Sequence, residues 1–216
     1  MTGNHGVSLR VPLPMLDRSL RLPKDRALGR VATVMPTWVS PGALTAAALA
    51  VGLAAAGAAA LGSTLLAVGA WLVNRLLDGL DGPLARARST ASDRGGYFDM
   101  MADTVVYAAV PLGIAVHRAD LTVWWCTAAL LASFYVNTMS WTYLSAIAEK
   151  RAAGAAATGE TTSVHMPGGA IEGTETIVLF TAMLAMPGWA VPLFLTMAGL
   201  VAITIGQRLW WAVRHL

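Results

Sequence analysis

Asp78–Asp103 reads DGLDGPLARARSTASDRGGYFDMMAD and sets five aspartates and three arginines between two of the most apolar stretches of the chain. The surroundings of this stretch are those of a protein built for lipid. Of 216 residues, 56% are hydrophobic and 12% charged, with a mean hydropathy of +0.59, against roughly 25% charged in an ordinary soluble domain. This composition excludes a soluble enzyme and implies an integral membrane protein. Apolar blocks lie at Thr45–Leu61, Thr64–Leu77, Phe98–Val116, Leu121–Ala148, Ile177–Met186 and Trp189–Leu209, and about 20 helical residues cross about 30 Å of hydrocarbon. The expected fold is therefore all-α, with six transmembrane helices and an N-terminal cytoplasmic amphipathic segment. The block at Ile177–Met186 is too short alone, so its helix is expected to begin near Glu172.

With six spans, 14 of the 15 basic residues fall on one side and only Arg118 on the other. The positive-inside rule then puts both termini and the charged stretch in the cytoplasm of an inner-membrane protein. The net charge of +3 reads as topology and affinity for anionic membrane lipid, and nucleic acid is not an expected partner. Residues 1–38 hold Pro12, Pro14, Pro23 and Pro36 and set Leu16, Leu20 and Leu28 among basic residues. They read as a juxtamembrane segment, either one or two short interfacial helices or a basic tether, and residues 39–216 as a single transmembrane domain. The one cysteine, Cys126, sits in an apolar run, so no disulfide framework or cysteine metal cluster is expected.

The charge in the opening stretch has a pattern. Asp78 and Asp81 are three apart and Asp99 and Asp103 four apart, so on helices each pair shares a face. Two antiparallel helices side by side would gather four carboxylates near the membrane interior, where unneutralised charge is strongly unfavourable. Either shared protons or bound cations must relieve them; divalent metal is the natural relief, and an oxygen-only set without histidine or cysteine suits Mg²⁺, Mn²⁺ or Ca²⁺ rather than zinc. Two ions about 3.5–4 Å apart form the clamp used on phosphoryl groups. Gly79 and Gly82 allow close approach to backbone, and Arg86 offers a fork to a phosphate.

Written as spacing, the residues are D78-x2-D81-G82-x2-A85-R86-x8-G95-x3-D99-x3-D103. This resembles the signature of the CDP-alcohol phosphotransferase family at every fixed position. Ser40–Thr45, SPGALT, is similar to the family's P-N-x-L-T segment, with Gly42 where asparagine is usual. The resemblance implies an enzyme that binds a CDP-linked lipid donor, most often CDP-diacylglycerol in bacteria. The hydroxyl of an acceptor alcohol attacks the phosphorus bearing the lipid, CMP leaves, and the product is a phospholipid. It implies Asp78, Asp81, Asp99 and Asp103 as ligands of two divalent ions, Mg²⁺ or Mn²⁺, with Asp103 also the general base. Gly82, Arg86 and Ser92 match positions that hold the CDP moiety, together with Pro41, Gly42, Ala43 and Leu44. A homodimer is also implied.

The acceptor is read from departures. Relatives that use phosphorylated acceptors carry basic residues at the end of the fourth helix, where this chain has Ser145 and Ile147, and an arginine at the start of the fifth, where it has Thr176. The expected acceptor thus lacks a phosphate monoester, with Ser145, Glu149, Lys150, His165, Glu172 and Glu175 as candidates to meet it. The alternative is a phosphatidylglycerol-phosphate or phosphatidylinositol-phosphate type of synthase. An ion-coupled transporter is the alternative of another class, but the first, fourth and sixth blocks hold no acid to make a path across the bilayer.

Overall fold

The computed structural model describes residues 28–151, 171 and 173–216. Residues 28–34 are helical, and six α-helices follow: α1 (Pro41–Ala60), α2 (Thr64–Ala87), α3 (Asp93–Arg118), α4 (Leu121–Lys150), α5 (Gly173–Ala185) and, after a 3-10 turn at Pro187–Trp189, α6 (Ala190–His215). Local chemistry sets the ends. Ser40 caps α1 by accepting from the Ala43 N–H at 3.1 Å, with Pro41 at the first helical position, where its missing N–H costs nothing. Gly62 turns the chain into α2 at φ +76°, a conformation that favours glycine. Ser92 caps α3 through the Gly95 N–H at 3.2 Å. Asp120 caps α4 by accepting from Thr122 and Val123 N–H groups, and these bonds hold its carboxyl below the usual range.

The expectation of six spanning helices is corrected. Among the described residues, three helices are long and apolar enough to cross a membrane: Pro41–Ala60, Asp93–Arg118 and Pro187–Arg214. Helix α5 has 13 residues, about 20 Å at 1.5 Å per residue, well short of the hydrocarbon thickness. It starts at Gly173 with only Glu175 as an acid in its first turn. Helix α2 is long enough, but Arg75, Asp78, Asp81 and Arg86 break its apolar run. In α4, Ser133, Asn137, Thr138, Ser140 and Thr142 do the same. The segment 1–38 falls mostly outside the described residues.

Helix α1 is the hub of the site half of the molecule, because it packs against both α2 and α3, while α4 packs on α6 and α5 leans on α2. Its sequence of alanines and glycines allows this. Ala55, Ala56 and Ala59 are buried, and a Cβ on Gly113 of α3 would collide with the backbone carbonyl of Ala56. Small residues at such a crossing let backbones approach and gain dispersion contact where lipid offers no hydrophobic drive. The main core then gathers Trp71, Ile114, Leu130, Phe180, Met183 and Phe194. A second cluster joins Ala32 and Leu44 to Leu80 and Leu84, which seats residues 28–34 on the charged end of α2.

Gly113→Val should lower stability by about 1–3 kcal/mol, the usual range for overpacking, read as a lower unfolding midpoint of the detergent-solubilised protein. An unchanged midpoint would show that α1 and α3 do not cross at this point.

Candidate active site

The charged stretch covers the end of α2, a short loop and the start of α3, so its aspartates come from two helices. The carboxylates meet in two pairs, Asp78 with Asp103 and Asp81 with Asp99, each within hydrogen-bonding range of the other. The helices do not lie side by side as the sequence reading supposes. Helix α1 packs against both, and α2 and α3 face each other mainly through side chains. Among the described residues, no three His, Cys, Asp or Glu side chains are gathered in an arrangement that could hold a metal ion.

One reason is a side chain that the sequence reading takes only as a topology signal. Arg75 lies between the helices, its side chain 7% exposed, with Asp103 Oδ1 at 2.8 Å and Asp78 Oδ2 at 3.5 Å. Its Nε donates to Asn74 Oδ1 at 2.8 Å and its Nη1 to the Tyr107 hydroxyl at 3.0 Å. Its guanidinium carbon lies 4.8 Å from the Trp71 ring centre and 5.1 Å from that of Tyr107, within cation–π range of both. A signal existed: Trp71, Arg75 and Asp78 are spaced four and three apart and so share a helical face.

The other pair is held differently. Asp81, 6% exposed, accepts from the Thr45 hydroxyl at 2.6 Å. This bond links the SPGALT segment at the head of α1 to the aspartate cluster, and 36 residues separate its partners. Asp99 Oδ1 is buried without a hydrogen-bond partner. A buried carboxylate oxygen of this kind needs a compensating group, and a cation is the strongest.

Around the cluster, Arg86 is exposed and folds back over Gly82, where a Cβ would come within 3.3 Å of its Nη1. Leu44 is buried, and a Cβ on Gly42 would meet open space. Pro41 and Ala43 lie in the same first turn of α1. Ser92 is committed to capping α3. Arg88, also read from sequence as a topology charge, donates to the carbonyls of Pro36 at 2.7 Å, Met35 at 3.3 Å and Val39. It thereby ties the turn before α1 to the end of α2.

The acceptor candidates are scattered. Ser145 is buried in α4 and donates to the Trp141 carbonyl at 2.8 Å. Glu149 and Lys150 are exposed at the end of α4, and Glu175 is partly buried at the start of α5. His165 and Glu172 lie outside the described residues.

Comparison with known proteins gives a consistent answer. Residues 38–210 match the family model for CDP-alcohol phosphatidyltransferase. The chain is 34% identical over 200 residues to the inner membrane protein YnjF of Escherichia coli (strain K12), covering 91% of this chain and 94% of that one. Its fold is similar to crystal structures of the Mycobacterium tuberculosis phosphatidylinositol phosphate synthase PgsA1. With CDP-DAG bound, the TM-score is 0.62 at 23% identity, covering 88% of this chain and 92% of that chain. In complex with manganese and citrate it is 0.61 at 24%, covering 87% and 86%.

Thr45→Val removes the hydroxyl that holds Asp81 and keeps the side chain's shape. CMP release should fall about 10- to 100-fold, the usual cost of losing a hydrogen bond behind a reacting or ligating carboxylate, with the unfolding midpoint little changed. Wild-type turnover in this variant would show that the α1 link does not organise the cluster.

Proposed function

The chain belongs to the CDP-alcohol phosphatidyltransferase family and is an enzyme of the CDP-alcohol phosphotransferase type, and we propose that it transfers a phosphatidyl group from CDP-diacylglycerol to the hydroxyl of an acceptor without a phosphate monoester. One observation carries this reading: two facing carboxylate pairs with a phosphate-sized fork, Arg86 over the bare Gly82, one turn beyond Asp81. The donor assignment is supported by the CDP-DAG bound to the M. tuberculosis synthase of similar fold. The membrane assignment is supported by the apolar helices and by the name of the E. coli relative. Arg86, Arg88 and Arg94 lie in the same stretch of sequence as the aspartates, which supports a cytoplasmic position for the site by the positive-inside rule.

In the proposed reaction the acceptor hydroxyl loses its proton to Asp103, and its oxygen bonds to the phosphorus that carries the diacylglycerol. The bond from that phosphorus to the oxygen of CMP breaks, and CMP leaves. Arg75 holds Asp103 Oδ1, which orients the carboxylate for proton abstraction. Arg86 is placed to hold the nucleotide phosphates, and the first turn of α1, Pro41–Leu44, to line the nucleotide.

The residues fit a divalent metal by donor chemistry, since the cluster is all carboxylate oxygen and Asp99 Oδ1 has no other partner. Asp78, Asp81, Asp99 and Asp103 are the residues to hold it, as Mg²⁺ or Mn²⁺. When bound, such an ion screens the pyrophosphate and stabilises the charge that develops on the leaving group.

The acceptor assignment rests on Ser145, Ile147 and Thr176, none of which can carry the charge that a phosphate dianion needs beside four carboxylates. Each missing charge-assisted bond is worth about 1.5–3 kcal/mol. The second reading, a phosphorylated acceptor, is favoured by the similar fold of a phosphatidylinositol phosphate synthase.

The test is CMP release with Mg²⁺ and CDP-diacylglycerol, comparing serine, inositol, glycerol, ethanolamine and phosphatidylglycerol with glycerol 3-phosphate and inositol phosphate. One of the first five should be preferred, EDTA should abolish release, and Asp103→Asn should retain under about 1%, in line with general-base contributions of 10²–10⁴. Preference for a phosphomonoester would overturn the acceptor reading, and an active Asp103→Asn the role of the base.

A further inference from the structure

We propose that Arg88 is a positioning residue for the donor: it fixes the turn before α1, so that the first turn of that helix is set to receive the nucleotide. The inference rests on the proposed use of CDP-diacylglycerol, and it concerns an arginine outside the fixed positions of the aspartate stretch.

A guanidinium is usually matched to a carboxylate or a phosphate, and this one is matched to backbone. Its Nη1 donates to the carbonyls of Thr37 at 3.4 Å and of Val39, and its Nη2 to those of Met35 at 3.3 Å and Pro36 at 2.7 Å. The N–H groups on these two nitrogens therefore serve one short stretch of chain. Among the described residues, Arg88 forms no ion pair. The carbonyls need such a donor because the helix at 28–34 stops before Pro36, and carbonyls at a helix end have no partner within the helix.

Arg88 reaches them from a fixed base. Leu80, Leu84 and Arg88 are four apart and form one stripe of α2. The two leucines pack with Ala32 and Leu44, and the arginine takes the carbonyls of the same segment. Ser89 stands in the left-handed region at φ 54°, and the Thr90 N–H closes on the Ala85 carbonyl at 2.8 Å, a helix end of defined geometry. Two residues turn a helix by about 200°, so Arg86 projects to the other side and is left for phosphate.

The stretch that Arg88 holds runs directly into Pro41–Leu44. Ser40, Gly42 and Ala43 are exposed, so packing does little to place this end of α1. Further along, the helix is held by Asn74 on the Ala48 carbonyl and by Val106 against Gly52. Loss of the Arg88 contacts thus shifts the turn that lines the nucleotide and leaves the Thr45–Asp81 bond in place. Its signature is weaker donor binding at nearly constant turnover.

The experiment follows CMP release by the full chain in nanodiscs as CDP-diacylglycerol is varied, with the preferred acceptor saturating, for wild type, Arg88→Gln and Arg88→Lys. Both variants should raise KM for the donor roughly tenfold or more, since a misplacement of about 1 Å can cost up to about 100-fold, with kcat little changed. Lysine keeps the charge but not the fork. A folded Arg88→Gln with wild-type KM would overturn the proposal, as would a fall in kcat alone. Wild-type KM in Arg88→Lys would show that charge suffices and would overturn it too. Should neither variant fold, a crystal structure of wild type with CDP-diacylglycerol decides: Arg88 should remain on the four carbonyls, and Arg88 on the donor's phosphates would overturn the proposal. No CMP release by wild type with any acceptor would instead remove the donor reading, and this proposal with it.

Discussion

Four carboxylates brought together from two helices, with Asp81 buried and the other three partly buried, are costly unless shared protons or positive charge relieve them. Removing charge from water costs several kcal/mol per ion, and mutual repulsion adds to it. The structure around α2 and α3 answers this demand. Arg75 neutralises Asp78 and Asp103, Thr45 holds Asp81, and Asp99 keeps one buried oxygen without a partner. The cluster is thus already half neutralised within the protein.

Helix α1 makes that arrangement possible. Its small residues let α3 cross closely at Ala56 and Gly113, its Ala48 carbonyl anchors Asn74 and through it Arg75, and its first turn brings Thr45 to Asp81. Arg88 holds the segment before α1 against the end of α2. A helix with almost no polar side chains therefore sets the separation of α2 and α3, and with it the distance between carboxylate pairs.

The spacing of Asp78, Asp81, Asp99 and Asp103 was legible because helical periodicity alone places each pair on one face. The helices also fall where the apolar blocks lie. The number of membrane crossings was not legible from those blocks, since Arg75 and Asp78 in α2 and the hydroxyl and amide side chains in the middle of α4 count as interruptions. Arg75 was taken as topology because its meaning depends on Tyr107, which lies 32 residues further on, and no local pattern encodes that contact. Thr45 was read only as part of a segment, and its bond to Asp81 depends on how α1 packs. Ser92 was read only as a match to positions that hold the CDP moiety, and the structure shows it capping α3.

The central claim is that the two carboxylate pairs form the phosphotransfer centre. Its most direct test is crystallographic: anomalous scattering at the manganese edge from the protein crystallised with Mn²⁺ and CDP-diacylglycerol. The account expects anomalous density among Asp78, Asp81, Asp99 and Asp103, beside the donor's pyrophosphate. A donor bound with its pyrophosphate away from these four aspartates, or manganese found only elsewhere, would contradict it.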